Sequence, residues 1–262
     1  MKSKKFLPIV ALFVLSAVLV SVGCGGSSTA LPAATTPPES VDHTIPYPEG
    51  IELGGAAGYD HSNDHLDSEY FPTNHNWYER HSTDRLTIIP RFATYQQTTE
   101  VNCGPATILM VLYHYGVKTI TEPEIAVEVD TNDTVGTTVE NLRDYFVRLG
   151  WHVDAHVSTQ TRFADTDEFS AFAREQLAAG RPIIVNWTRW NGHWEAIIGI
   201  DTMGTESSSD DVLIMADPYD TTDHYQDGYF TVGMEQFFYE WHEGLCAGKV
   251  EPYQHTYIIA YP

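Results

Sequence analysis

The sequence predicts an α+β fold, and three observations carry that prediction. Helical patterns come first and strand patterns later, instead of alternating. One helical pattern is apolar on every side, which places it at the centre of a core. The chain has 262 residues, 42% of them hydrophobic, with six Trp, 15 Tyr and 11 Phe. That is enough apolar side chain to bury a core and too much for a disordered chain.

Taken in order, the chain opens with Lys2, Lys4 and Lys5, followed by an apolar run from Phe6 to Gly23. A charged start and a short apolar stretch make a secretory signal. The run stops at Ser21-Val22-Gly23-Cys24, where small residues before a cysteine resemble the lipobox of bacterial lipoproteins. That resemblance implies lipidation of Cys24, although Ser21 stands where the motif usually has Leu. Cleavage to a soluble secreted form and an uncleaved anchor are the other readings. Residues 24–50 are rich in Pro, Gly, Ser and Thr without an apolar period, the composition of a flexible linker.

Residues 51–84 form an acidic extension with His61, His65, His75 and His81 among Asp60, Asp64 and Asp67. His61 and His65 would share one face of a helix, but no third ligand at a fixed spacing completes a metal motif. The plainer reading is a loop-rich segment packed on the domain by Tyr70, Phe71, Trp77 and Tyr78.

From residue 85 to 262 the patterns are those of a folded domain. Cys103–Tyr115 is almost wholly apolar, with Pro105 in its first turn and Gly116 after its end, both helix boundary signals. A second helix is expected to start at Thr137, with Glu140 as its capping-box partner, and to stop at Gly150. A third is expected over about 166–179. Strands are expected at Pro182–Trp187, His193–Ile200, Val212–Ala216, Gly228–Val232 and Tyr253–Tyr261, with a short helix at Met234–Trp241. No internal repeat or P-loop string occurs.

Charge and cysteine content narrow the function. Thirty-six acidic against 14 basic side chains give a formal charge of −22. Such an excess argues against nucleic acid as a partner and against adhesion to anionic lipid, leaving the lipid on Cys24 as the expected membrane contact. Three cysteines are too few for a disulfide scaffold.

Four positions carry the chemistry. Cys103 opens the buried helix, where free backbone N–H groups and the positive end of the helix dipole favour an anion, here the nucleophilic thiolate. Gln97 can bring an amide donor to the same point and, with the Cys103 N–H, form an oxyanion hole. His193, after Gly192 at the start of a strand, is the candidate base. Asp217, in Ala216-Asp217-Pro218, ends the next strand and would orient the imidazole if the two strands pair. Gly104 and Gly192, Trp194, and Glu195 on the same strand face as His193 are candidates to line a cleft. Trp187, Trp190 and Trp194 are read first as packing. Singly, each position has a plain alternative: Cys103 and Cys246 as a disulfide, Asp217-Pro218 as a strand end, Glu195 as a solvated carboxylate.

Gln97-x-x-x-x-Asn102-Cys103-Gly104-Pro105-Ala106, Gly192-His193-Trp194-Glu195-Ala196-Ile197-Ile198-Gly199-Ile200-Asp201 and Ala216-Asp217-Pro218 together resemble the blocks of the bacteriocin-processing cysteine peptidases of the papain clan. The closer likeness is to the stand-alone, peptidase-like branch. The resemblance spans residues 85–262 and implies a papain-like cysteine peptidase fold, with the cysteine at a helix N-terminus packed on an antiparallel sheet that carries the histidine and the aspartate. It implies Cys103 as nucleophile, His193 as base, Asp217 as orienting acid and Gln97 as oxyanion donor. Asn102 departs from the Asp common before the cysteine in transporter-fused members, and no ATP-binding segment follows, so double-glycine leader specificity does not carry over. The function implied is an exported thiol hydrolase acting on a peptide or amide bond without metal or organic cofactor. An acyl transferase of the same clan and a silent peptide-binding lipoprotein are the alternatives.

Overall fold

Helix α1, Cys103–His114, forms where the apolar run and its boundary signals lie. Residues Gly104 to Leu112 are all buried, so this helix is the core's central rod. Its end is closed by Gly116 at φ +83° and by the Val117 N–H on the Leu112 carbonyl at 2.9 Å. These contacts appear in a computed structural model that describes residues 43–71, 75–242 and 251–262. The signal segment, Cys24, most of the linker and Cys246 lie outside those residues.

Strand β1 (Leu86–Ile88) precedes α1; α2 (Glu122–Glu128), α3 (Val139–Arg148), β2 (His152–His156) and α4 (Thr166–Ala178) follow it. Then come β3 (Ile183–Trp187), β4 (His193–Asp201), β5 (Val212–Ala216), β6 (Tyr229–Gly233), α5 (Met234–Glu240) and β7 (Tyr257–Tyr261). The sheet runs β2-β7-β3-β4-β5-β6, with β1 also paired to β4, and every pairing is antiparallel. Helices grouped ahead of an antiparallel sheet make the fold α+β, as the sequence pattern predicts.

Strand β4 is the hub. It pairs with β3 over His193–Ile197, with β5 over Ala196–Asp201 and with β1 over Gly199–Asp201. All its residues from His193 to Ile200 are buried, because α1 and α4 both pack on it. Thr107 of α1 donates through Oγ1 to the Trp194 carbonyl at 3.0 Å.

Several boundaries differ from expectation. The cap of α3 is Thr138, whose side chain accepts the Asn141 N–H at 3.2 Å. Thr137 is otherwise engaged: its hydroxyl pairs with Thr131 at 2.7 Å and its carbonyl accepts the Trp194 indole N–H at 3.0 Å. Glu140 instead accepts the Tyr253 hydroxyl at 2.6 Å. The last strand starts at Tyr257, not Tyr253, because Gln254 turns aside to bridge His242. Helix α2, signalled by a capping box at Thr121 and Glu124, and the short strands β1 and β2 were not expected.

The chain is already packed on the domain at the end of the expected linker. The Ile45 N–H donates to the Thr94 carbonyl at 2.8 Å, and Gly54 and Ala57 donate to the Thr98 and Gln97 carbonyls, each at 3.0 Å. Ile45, Ala56 and Ala57 are buried. Residues 43–57 therefore splint the backbone of 94–98, the stretch that leads to Cys103. His61 sits in a turn and His65 in irregular backbone, neither on a helix; His61 pairs with Asp64 at 3.0 Å. Among the described residues no helix is long and apolar enough to cross a membrane.

Candidate active site

Cys103 is the first residue of α1 and a free, partly buried thiol. The residue after it must be glycine: a Cβ on Gly104 would lie 2.5 Å from Thr137 Oγ1 and 2.7 Å from its Cβ. Gly104 is buried, so its expected place on a cleft is corrected. Its missing side chain admits Thr137, which lets α1 sit tight against the loop before α3.

His193 is placed by a tight connection. Between β3 and β4, Trp190, Asn191 and Gly192 take φ values of +54°, +68° and +128°. The last suits glycine above all, so Gly192 serves the turn. The hairpin pairs His193 with Trp187. Across β4, Ala196 faces Ala216 of β5, and continuing that antiparallel register sets Glu195 opposite Asp217, with His193 two residues along on the same face.

His193 Nε2 lies 2.8 Å from Asp217 Oδ1, and the imidazole's other interaction is with the Cys103 side chain, which helps hold it protonated. With Nε2 taken by Asp217, Nδ1 is the nitrogen left for sulfur. Asp217 is fixed on all sides. Its Oδ1 also accepts the Tyr219 N–H at 2.7 Å, its own N–H donates to the Gly228 carbonyl, and its carbonyl accepts Gln96 Nε2 at 2.8 Å.

A residue that sequence reasoning missed completes the site. Arg189 Nη1 donates to Asp217 Oδ2 at 2.6 Å and to Glu195 Oε1 at 2.9 Å, while Nη2 donates to Thr222 Oγ1 at 2.9 Å. Its guanidinium also lies 4.0 Å from the centre of the Phe230 ring. Glu195 is fully buried, 3.5 Å from His193 Nε2. It is neither a solvated carboxylate nor a cleft wall. Trp194 is buried as well, so its expected place on a cleft is also corrected. The available signal for Arg189 was a single basic residue inside the Trp-Gly loop next to the histidine of a strongly acidic chain.

These charges set one another. Burial alone would lower His193, but its hydrogen bonds to Asp217 and Cys103 and the nearby carboxylates push it up to about 10. Burial alone would raise Asp217, but Arg189 and His193 outweigh it and hold the carboxyl below the usual range. Glu195 goes the other way: burial, then the Asp217 charge, favours its neutral form against the pull of Arg189. Its Oε2 is buried with no hydrogen-bond partner, which also disfavours a charge there.

Gln97 is buried beside this array. Its N–H donates to the Pro218 carbonyl at 2.9 Å, and its Nε2 gives one of two hydrogens to the Thr99 carbonyl at 2.7 Å. At the exposed rim, Trp190 stands 5.7 Å from the Tyr219 ring, and Tyr219 donates to Glu100 at 3.0 Å. Of the three expected tryptophans, Trp187 and Trp194 are core and Trp190 is exposed. Ligand atoms of His193, Glu195 and Asp217 lie within 4.8 Å of one another, close enough for a metal ion. Arg189 already occupies the two carboxylates as their counter-ion, so a metal would have to displace a guanidinium.

The sequence model of the Peptidase_C39 like family matches residues 89–244, a stretch that includes Cys103, His193 and Asp217. No curated protein matches the chain. Among solved structures, the peptidase domain of ComA from Streptococcus, a bifunctional ABC transporter, is 20% identical, covering 65% of this chain and 98% of that one, with a TM-score of 0.42. A double-glycine motif protease from a transporter, in complex with leader peptide, is 15% identical over 69% of this chain and 96% of that one, with a TM-score of 0.41. A C39-like peptidase from Bacillus anthracis is 13% identical over 68% of this chain and 98% of that one, with a TM-score of 0.47.

Two outcomes are expected of this charge array. Arg189→Met strands two buried carboxyl groups and should cost about 3–5 kcal/mol of stability in urea titrations; adding Glu195→Gln should recover part of the loss. No loss in the single variant would refute the bracing role. The pH dependence has a fixed sign. A histidine raised in the folded state stabilises fully below its unfolded pKa of about 6.5 and loses that contribution as pH rises through about 10. The stability gap between the parent chain and His193→Asn should therefore shrink between those pH values. A gap that widens over the same range would contradict the assignment.

Proposed function

Because the chain belongs to the Peptidase_C39 like family and has its papain-like α+β fold, we propose that it is a thiol hydrolase cleaving a peptide bond through Cys103, His193 and Asp217. One observation carries this reading: a single buried imidazole is hydrogen-bonded to a carboxylate and interacts with the side chain of a cysteine that opens a helix.

Cys103 Sγ, as thiolate, attacks the carbonyl carbon of the peptide. The carbonyl π electrons move to oxygen, which is met by the Cys103 N–H and by the second hydrogen of Gln97 Nε2. His193, as imidazolium, gives its Nδ1 proton to the departing amine as the C–N bond breaks, leaving a thioester on Cys103. Water then gives a proton to Nδ1 and its oxygen attacks the thioester carbon. The C–S bond breaks, and the acid product and the thiolate–imidazolium pair are released. Asp217 holds the ring through Nε2 throughout, so Nδ1 alone handles the proton. The raised His193 favours imidazolium, the state that pairs with a thiolate. Trp190 and Tyr219 form the wall that a peptide meets at the rim.

The site of action in this reading is outside the cytoplasm, with the domain tethered through a lipid on Cys24. Lys2, Lys4, Lys5, the apolar run to Gly23 and the small residues before Cys24 support it. Labelled palmitate fed to expressing cells should enter the parent chain and not Cys24→Ser; equal incorporation in both would refute the anchor.

The catalytic reading is tested by iodoacetamide alkylation from about pH 4 to 9, with the label located by mass spectrometry. Cys103 should be alkylated faster than a free cysteine, and His193→Ala should slow it. On a cleaved peptide, Gln97→Ala should lower kcat by about 10²–10³ with little change in KM. Conjugation of the acyl group to an added amine in place of water would move the reaction to transfer. A Cys103 that reacts no faster than free cysteine would leave a silent binding protein.

A further inference from the structure

A cavity of about 220 Å³ lies between the N-terminal extension and the loop that follows Asp217. Tyr70, Phe71 and Trp77 line it from the extension, and Tyr225 and Tyr229 from the loop and β6. Asp223 and Asp227 are the acidic groups in its wall and His75 the titratable base. Tyr70 and Phe71 are 74% and 42% exposed, a large apolar area to leave in water unless something covers it.

Aromatic faces and carboxylates around one space select for an organic cation, since ring quadrupoles and negative charge attract it together. Among the described lining residues none is a Lys or Arg; the nearest guanidinium on the extension, Arg80, is taken up outside the wall by His75 at 3.4 Å and lies 6.0 Å from the Trp77 ring. Asp223 and Asp227 each use one oxygen on a backbone N–H two residues on, at 3.0 and 2.9 Å. The charges nearest Asp227 are the acids Asp223 and Asp64; Asp223 feels Asp217 and Arg189. His75 is held toward its neutral form by burial and by Arg80. Burial raises Asp223 to about 6 and Asp227 to about 8, and a cation in the cavity would favour the ionised form of both.

Size narrows the ligand further. The volume is below the about 300–1,000 Å³ of pockets that take whole small molecules, so it suits one side chain. Position then supplies the source. The loop that carries Asp223 begins at Asp217, and Thr222, its neighbour, holds Arg189. The cavity is thus built on the same short loop as the catalytic carboxylate. A chain with a formal charge of −22 also draws cationic ligands toward it.

We propose that this cavity is a specificity subsite that takes a Lys or Arg side chain of the peptide on which Cys103 acts. That the peptide is one on which Cys103 acts rests on the catalytic reading above; the affinity for a cationic side chain does not.

The test uses the full chain carrying Cys103→Ala, so that binding is read without turnover. Nα-acetyl-lysine amide, Nα-acetyl-arginine amide and the uncharged Nα-acetyl-norleucine amide are titrated by calorimetry. The two cations should bind saturably and norleucine should not. Asp223→Asn and Asp227→Asn should each weaken lysine amide about tenfold or more. Tyr70→Ala, at an exposed rim position that folding does not require, should weaken it as well. Equal binding of norleucine, unchanged affinity in both Asp223→Asn and Tyr70→Ala, or binding of calcium chloride in place of the organic cations would each overturn the subsite. An inert Cys103 in the parent chain would sink the peptidase reading alone.

Discussion

The site depends on one guanidinium, partly buried between two strands. Arg189 reaches Asp217 and Glu195 with the same Nη1, and without it two fully buried carboxyl groups would face each other across β4 and β5. Like charges at that separation in a poorly solvated interior are strongly unfavourable, and one would have to stay protonated. Arg189 decides which one. It sits at 2.6 Å from Asp217 and 2.9 Å from Glu195, and Asp217 has two further donors, His193 and the Tyr219 N–H, that Glu195 lacks. The charge therefore settles on Asp217, where the imidazole needs it.

Holding that guanidinium in place is the work of connections that carry little regular structure. Arg189 lies in a three-residue turn with left-handed residues after it, and Thr222 in the loop after β5 anchors its other nitrogen. The same loop is tied to residues 94–98: Gln96 holds the Asp217 carbonyl and the Asp220 N–H, and the Gln97 N–H meets the Pro218 carbonyl. Residues 43–57 lie along the far edge of 94–98. An N-terminal segment outside the sheet is thus mechanically part of the site, because it fixes the backbone from which Gln97 projects.

What the sequence made legible follows from how local each signal is. Helix α1 and strands β3, β4 and β5 are runs of apolar side chains buried on all sides, so composition alone marks them. Strand β2 was missed because its residues are polar and partly exposed at a sheet edge, and α2 because seven residues give little periodicity. Cys103, His193 and Asp217 could be named because each stands at the start or end of an element, where function and boundary signals coincide. Glu195, and Trp194 in its second reading as a cleft wall, were misplaced for a single reason. Strand alternation shows which residues share a face, but not that both faces of β4 are covered. Arg189 was invisible because its partners are 6 and 28 residues away, joined only by the register of a sheet not yet known.

That register also explains why a third carboxyl group belongs in the site. In the proposed mechanism the resting state holds a thiolate on Cys103 and an imidazolium on His193. With Asp217 ionised and Arg189 charged, two anions then face two cations, and the buried array is neutral provided that Glu195 carries its proton. An ionised Glu195 would add an unbalanced negative charge 3.5 Å from His193 and make the thiolate harder to form beside it. Burial and the Asp217 charge keep Glu195 toward the neutral form, so it adds no third anion beside the thiolate of the proposed mechanism. On this view Glu195 positions charge without touching substrate. Its buried, unpartnered Oε2 is the structural cost of keeping the reactive pair ionised.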